Sequence, residues 1–258
     1  MLIDGYRDYR NRDWFAVPRR LRFAYRYYGD KLGRIPAWAW EGRELDNFTY
    51  DLTDKNKGDL AAMIAVVTGA PPSAVRTYLD EPEQELGSHY GGSNGFGRRL
   101  GWYAIVRIAK PRIVIETGVH RGLGAAVLCA ALKRNAEEGH EGRYYGTDIN
   151  TGAGDLLLDP WRQFGEILYG DSIASLEAFR GQVDLFINDS DHSAEYEYRE
   201  YRTILPKLSD RAILLADNAH VSESLRRFSE EEGRKYLFFR EEPREHWYPG
   251  GGIGVSFR

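Results

Sequence analysis

The rhythm of apolar and polar positions changes near residue 100. Before that point, residues 56–68 and 72–79 carry apolar side chains at helical spacing (Leu60, Met63, Ile64 and Val67; then Val75, Tyr78 and Leu79), parted by Gly69-Ala-Pro-Pro72. This predicts a short helical hairpin. Next comes Gly87-Ser-His-Tyr-Gly-Gly-Ser-Asn-Gly-Phe-Gly97, whose glycine density predicts no regular element and leaves two readings, a connector and a mobile lid. Beyond residue 100, short β-rich runs at 113–115, 143–147, 166–169, 183–187 and 212–216 alternate with helical stretches such as 124–134 and 194–205. Short parallel strands need crossover helices, so the expected class is α/β, a doubly wound and mostly parallel sheet with helices on both faces. Residues 235–240 and 253–257 complete seven strands, the last of them antiparallel. Residues 1–99 are then an N-terminal helical extension to a domain at 100–258.

Composition bounds this picture without changing it. A chain of 258 residues, 42% hydrophobic and 29% charged, buries one substantial core. The single cysteine, Cys129, lies in an apolar helical stretch, which excludes an intramolecular disulfide framework and reads as a small buried hydrophobe in a reducing compartment. No run approaches the roughly 18 to 20 apolar residues of a membrane helix, and the first residues carry charge rather than an apolar signal core. A soluble, cytoplasmic protein is expected. The formal net charge of −4 gives no push toward nucleic acid. Locally, the first 35 residues interleave eight arginines with tyrosines, Trp14 and Phe23, which leaves two readings, a solvated arm packing on the core or on a second subunit of a homo-oligomer and a contact for an anionic or sugar-bearing partner, the first favoured.

The chemistry concentrates in four turns, each just after a strand-like run: Glu116-Thr-Gly118-Val-His-Arg-Gly122-Leu-Gly124, Gly146-Thr-Asp148, Asn188-Asp189-Ser-Asp191-His192 and Ala216-Asp217-Asn218. Ligands of open α/β sheets bind at the carboxyl ends of strands, so these turns describe one crevice. The glycines are spaced G-x-x-x-G-x-G rather than G-x-G-x-x-G, and Glu116 would repel a pyrophosphate, which disfavours a nicotinamide dinucleotide. A ligand carrying positive charge, such as S-adenosylmethionine, suits it better. Asp148, about thirty residues on, is placed to accept both hydroxyls of a ribose. If the runs before Asp189 and Asp217 are neighbours, Asp189, Asp217 and Asn218 bring three hard oxygen ligands together, the minimum for an octahedral site of the magnesium type.

Residues from about 99 to 258 resemble the class I S-adenosylmethionine-dependent methyltransferases, whose first motif is an acid followed by spaced glycines; Glu116, Gly118 and Gly122 fall on it. The resemblance implies a Rossmann-like fold, Asp148 on the ribose, Ile149 beside the adenine, and Asp171 and Ser172 of Leu168-Tyr-Gly170-Asp171-Ser172 at the adenine edge. A helix N-cap is the other reading of Asp171 and Ser172. The acidic turns resemble the metal-dependent O-methyltransferase branch, with its catechol, caffeoyl-coenzyme A and macrocin-type members; Asp189, Asp217 and Asn218 match its Mg2+ ligands. Asp191 matches the residue proposed as general base in sugar-directed members, while His192 stands where phenol-directed members have lysine. Asp191 and His192 are both candidate catalytic bases.

The reading is therefore methyl transfer to a hydroxyl, of a small molecule or a glycan, with a sugar unit favoured as acceptor. His120 is left outside the catalytic set. Trp247-Tyr248-Pro249 offer a wall for a ring-shaped substrate. Two other classes share the fold: a nicotinamide-dependent oxidoreductase, and a nucleoside-binding or scaffold protein without chemistry.

Overall fold

The computed structural model describes residues 50–90, 95–217, 219–244 and 250–258. The basic aromatic arm, the centre of the glycine-dense stretch, Asn218 and Trp247-Tyr248-Pro249 lie outside the described residues.

The expected hairpin consists of α1 (Asp54–Thr68) and α2 (Pro72–Tyr90), with the chain turning through 118° between them. The Thr53 hydroxyl accepts the Asn56 amide at 3.2 Å to start α1, and Gly69 in the left-handed region stops it. Unlike the expectation, α2 continues through Gly87 to Tyr90. Val75, Leu79, Pro82, Leu86 and Tyr90 stay buried on one helical stripe, and that burial outweighs the low helix propensity of glycine. A third helix, α3 (Arg99–Ala109), precedes the sheet and is buried along almost its whole length.

Then follow β1 (Ile113–Thr117), α4 (Leu123–Glu137), β2 (Arg143–Asp148), β3 (Gly165–Tyr169), α5 (Ser172–Ala178), β4 (Val183–Asn188), α6 (Ala194–Ile204), β5 (Leu208–Ala216), α7 (Ser224–Glu231), β6 (Lys235–Arg240) and β7 (Gly252–Phe257). The sheet order is β3-β2-β1-β4-β5-β7-β6, parallel through β5, with β7 antiparallel to both neighbours. The seven-stranded architecture and its antiparallel last strand match the expectation.

Alternation along the strands divides the core in two. Val114, Leu185, Ile187, Ile213 and Leu215 face α1 to α4, and Ile115, Phe186, Leu214 and Ala216 face α5 to α7. The helical hairpin shares the first of these clusters through Leu60, Ile64, Val75, Leu79 and Leu86. Strand order reverses between β1 and β4, and a crevice opens there at the carboxyl ends. Among the described residues no single helix is long and apolar enough to cross a membrane.

Candidate active site

Four strands end level with one another. Thr117 of β1 pairs with Thr147 of β2 and Asn188 of β4, and Asn188 pairs with Ala216 of β5. The next residue in each chain segment is therefore Gly118, Asp148, Asp189 or Asp217. Backbone bonds carry the ladder into these turns, from Gly118 N–H to Thr147 O at 2.8 Å, Asp189 N–H to Thr117 O at 2.8 Å and Asp217 N–H to Asn188 O at 3.0 Å. A cavity of about 750 Å³ lies over this row. Its walls include every candidate site residue within the described part of the chain, namely Glu116, Gly118, Gly122, Asp148, Asp171, Ser172, Asp189, Asp191, His192 and Asp217.

One half of the cavity is suited to a nucleoside. Asp148 is fixed by accepting the amides of His120 and Asn150, each at 2.8 Å, one on either carboxylate oxygen. Each oxygen keeps a lone pair for a further donor. Ile149 is 81% exposed beside it, a large apolar side chain on the cavity wall with no core to join. Among the described residues the buried Thr147 hydroxyl has no hydrogen-bond partner, and it also lies on the wall. An unpaired buried hydroxyl, a fixed carboxylate and an apolar platform fit a ribose with its base.

Glycine at 118 is demanded by the protein itself. Its φ is +85°, and an added Cβ would lie 2.1 Å from the Asp189 carbonyl oxygen, so the first turn presses against the third. Gly122, at φ +95°, packs in the same way against Gly154. Glu116 accepts the Tyr144 hydroxyl and is wholly enclosed. Burial pushes its carboxyl up to about 8, against the lowering effect of the Tyr144 hydroxyl and Arg99, so the fold works against the negative charge read from the sequence. Asp171 is the N-cap of α5, accepting the Ala174 amide at 2.9 Å and the Tyr196 hydroxyl at 2.8 Å. The capping reading of Asp171 thus holds together with its place on the cavity wall.

The other half is acidic and is held by arginine. The Arg98 guanidinium grips Asp217 with two bonds, Nε to Oδ1 and Nη2 to Oδ2, the second 2.6 Å long. Its Nη1 donates to the Tyr50 hydroxyl at 3.0 Å and lies 3.4 Å from Glu241 Oε2, and its backbone amide donates to Glu241 Oε1 at 2.8 Å. Burial alone would raise the Asp217 carboxyl, but the attraction of Arg98 wins and takes it down to about 2. Neighbouring Asp189 moves the other way: burial, reinforced by the charge on Asp217, pushes it well up. Asp191 accepts the Ser193 amide at 2.8 Å at the entrance to α6.

The magnesium reading meets this arrangement directly. Asp189 and Asp217 do come together, as neighbouring β4 and β5 require, and Asn218 lies outside the described residues. Both Asp217 oxygens, however, are engaged by a guanidinium. A divalent ion roughly 4 Å from that group would meet a repulsion on the order of 8 kcal/mol at an effective dielectric constant of about 20. Among the described residues no group of three or more His, Cys, Asp or Glu is arranged to hold a metal ion. Two of the residues expected to build the octahedral site, Asp189 and Asp217, thus share their place with the Arg98 guanidinium, and the third, Asn218, lies outside the described residues. Positive charge there comes from Arg98, which bonds Asp217 directly, and from Arg99, which also lines the cavity.

Glu200 of α6 ties the floor together and went unread in the sequence. It is fully buried and accepts from Thr117, Ser172, Asn188 and Ser190, the last at 2.8 Å. Its signal is local: Glu197, Glu200, Tyr201 and Ile204 form one buried helical stripe, so two acids sit where apolar residues belong. Arg98 and Glu241 carry no such signal, since their bonds span 119 and 143 positions.

Residues 115–219, which include strands and turns that build the cavity, match the family described as "Methyltransferase domain". Among solved structures, a protein from Klebsiella pneumoniae described as an O-methyltransferase is similar at 15% identity, with a TM-score of 0.51, over 79% of this chain and 97% of that one. The O-methyltransferase of Bacillus cereus in complex with SAH is similar at 14% identity and TM-score 0.49, over 79% and 99%. The O-methyltransferase TomG of Streptomyces achromogenes, involved in tomaymycin synthesis and crystallised with SAM, is similar at 15% identity and TM-score 0.49, over 80% and 99%. The Klebsiella likeness is one of fold. No curated protein matches the chain.

Proposed function

We propose that this protein transfers the methyl group of S-adenosylmethionine to a hydroxyl oxygen, with a sugar unit as the favoured acceptor. The observation that carries the reading is the level row of turns, which sets the fixed carboxylate of Asp148 and the acids Asp189 and Asp191 along the wall of one cavity. The methyltransferase-domain match supports it. S-adenosylmethionine supplies an electrophilic methyl carbon on a sulfonium. The protein's share is to hold and to dry the reactants: Asp148 takes the ribose hydroxyls, Ile149 and Thr147 line the nucleoside half, and Glu116 lies by the first turn.

The acceptor oxygen forms its bond to the methyl carbon as the carbon–sulfur bond breaks, and the electron pair leaves on sulfur. The hydroxyl proton goes to Asp191 or His192, which both line the acidic half. The sugar preference rests on the likeness of Asp189-Ser-Asp191-His192 to the sugar-directed branch. A magnesium-assisted form of the reaction requires Arg98 to give up Asp217, so no step is assigned to a metal. The nicotinamide reading lacks its glycine spacing. A scaffold without chemistry leaves the unpaired Thr147 hydroxyl and the two candidate bases on the wall without purpose.

Equilibrium dialysis with labelled S-adenosylmethionine tests the donor. Wild type should retain it, Asp148→Ala should weaken retention at least about tenfold through loss of two charged hydrogen bonds, and NAD should not compete. Retention untouched by Asp148→Ala, or displacement by NAD, would overturn the reading.

A further inference from the structure

The strongest unexplained feature of the cavity is a cation built into its acidic end. Arg98 stands just before α3 and is 7% exposed, wedged between Asp217 at 4% and Glu241 at 0%. Three separated parts of the chain hold it: Asp217 after β5, Glu241 after β6, and Tyr50 ahead of α1, whose hydroxyl also donates to Glu241 at 2.7 Å. Glu241 in turn accepts the Gly251 amide at 3.1 Å. Such a guanidinium, bonded along both edges, is fixed in orientation and always charged. It is also a wall of the cavity, beside Asp189 and Asp217, where the sequence placed a divalent ion.

We propose that Arg98 takes the place of the divalent cation, so that the acidic end of the cavity carries a permanent guanidinium and binds no metal. Its bearing on catalysis rests on the methyl-transfer reading, under which the acceptor loses its proton here and a fixed positive charge favours the developing oxyanion. The geometry explains the surroundings as well. Asp217 and Glu241 are the counter-charges of the arginine rather than ligands in waiting, and Tyr50 locks the remaining edge.

The test is a Mn2+ titration of the purified full chain, followed by electron paramagnetic resonance and calorimetry. Wild type should show no saturable Mn2+ site up to about 1 mM. Arg98→Ala, which uncovers Asp217, should gain one at least about tenfold tighter, and adding Asp217→Asn to that variant should abolish it. Arg98→Lys should stay free of Mn2+, since a charge remains. Should Arg98→Ala fail to fold, wild type and Arg98→Lys decide. Stoichiometric Mn2+ uptake by wild type that Asp217→Asn removes would overturn the proposal, as would a folded Arg98→Ala variant that gains no site. S-adenosylmethionine retention, measured on the same wild-type sample, separates the two ideas. A protein that binds neither donor nor Mn2+ keeps its arginine centre and loses the methyl-transfer reading, whereas one that binds both does the reverse.

Discussion

Glu197 of α6 is a carboxyl that the fold would rather keep protonated. It is 1% exposed, its Oε1 has no hydrogen-bond partner among the described residues, and burial, with Glu200, Asp191 and Asp217 near, raises its pKa to about 7. In the unfolded chain it titrates near its ordinary value of about 4.3. Between those values the native state holds a proton that the unfolded state has released, so stability falls as pH rises through this window and levels off above about 7. The loss amounts to roughly 1 to 3 kcal/mol. Glu197→Gln, neutral throughout, should flatten the slope, raising urea stability at pH 8 while changing little at pH 4.5. An unchanged pH profile would show that Glu197 ionises freely in the fold. The residue scale also marks where sequence reading stops. Asp148 and Asp189 announce themselves because each ends a strand, and a strand end is a local fact. Arg98 does not, because what gives it meaning is a pairing with Asp217, 119 positions away.

At the scale of elements, the first and third turns are one unit because β1 and β4 end on the same rung, with Gly118 against the Asp189 carbonyl. Gly139 offers a matched control: it shares the φ of +85°, but a Cβ there meets nothing within 4 Å. Gly139→Ala should therefore cost only backbone strain, about 1 kcal/mol. Gly118→Ala adds an overpacked contact of about 1 to 3 kcal/mol and should be the costlier by that margin in urea denaturation. Equal costs would mean that the two turns do not touch. The strands were legible because short apolar runs bounded by turn residues have few alternatives in an alternating chain. The end of α2 was not. Composition predicted a break at Gly87, whereas the buried stripe through Leu86 and Tyr90 carries the helix onward, and the Tyr90 hydroxyl donates to the Leu156 carbonyl at 2.5 Å. That contact, across 66 positions, belongs to packing rather than to propensity.

On the scale of the whole molecule, the fold brings together two chemistries that the sequence keeps apart. The nucleoside half is built from β1, β2 and their turns, and the acidic half from β4 and β5, with Arg98 on its far wall and Tyr50 bonded to that arginine from behind. The extension is thus part of the site's construction, sharing a core cluster with the sheet and supplying the charge that Asp217 answers. The turns of both halves were readable in order along the chain; their convergence followed from strand order, and the arginine wall only from the complete packing. The most direct test of this division is a crystal structure of the protein with S-adenosylhomocysteine. The account predicts both ribose hydroxyls on the Asp148 carboxylate, the adenine against Ile149, and the sulfur directed toward Asp189 and Asp191. A ribose bound away from Asp148, or a sulfur turned from the acidic half, would contradict it.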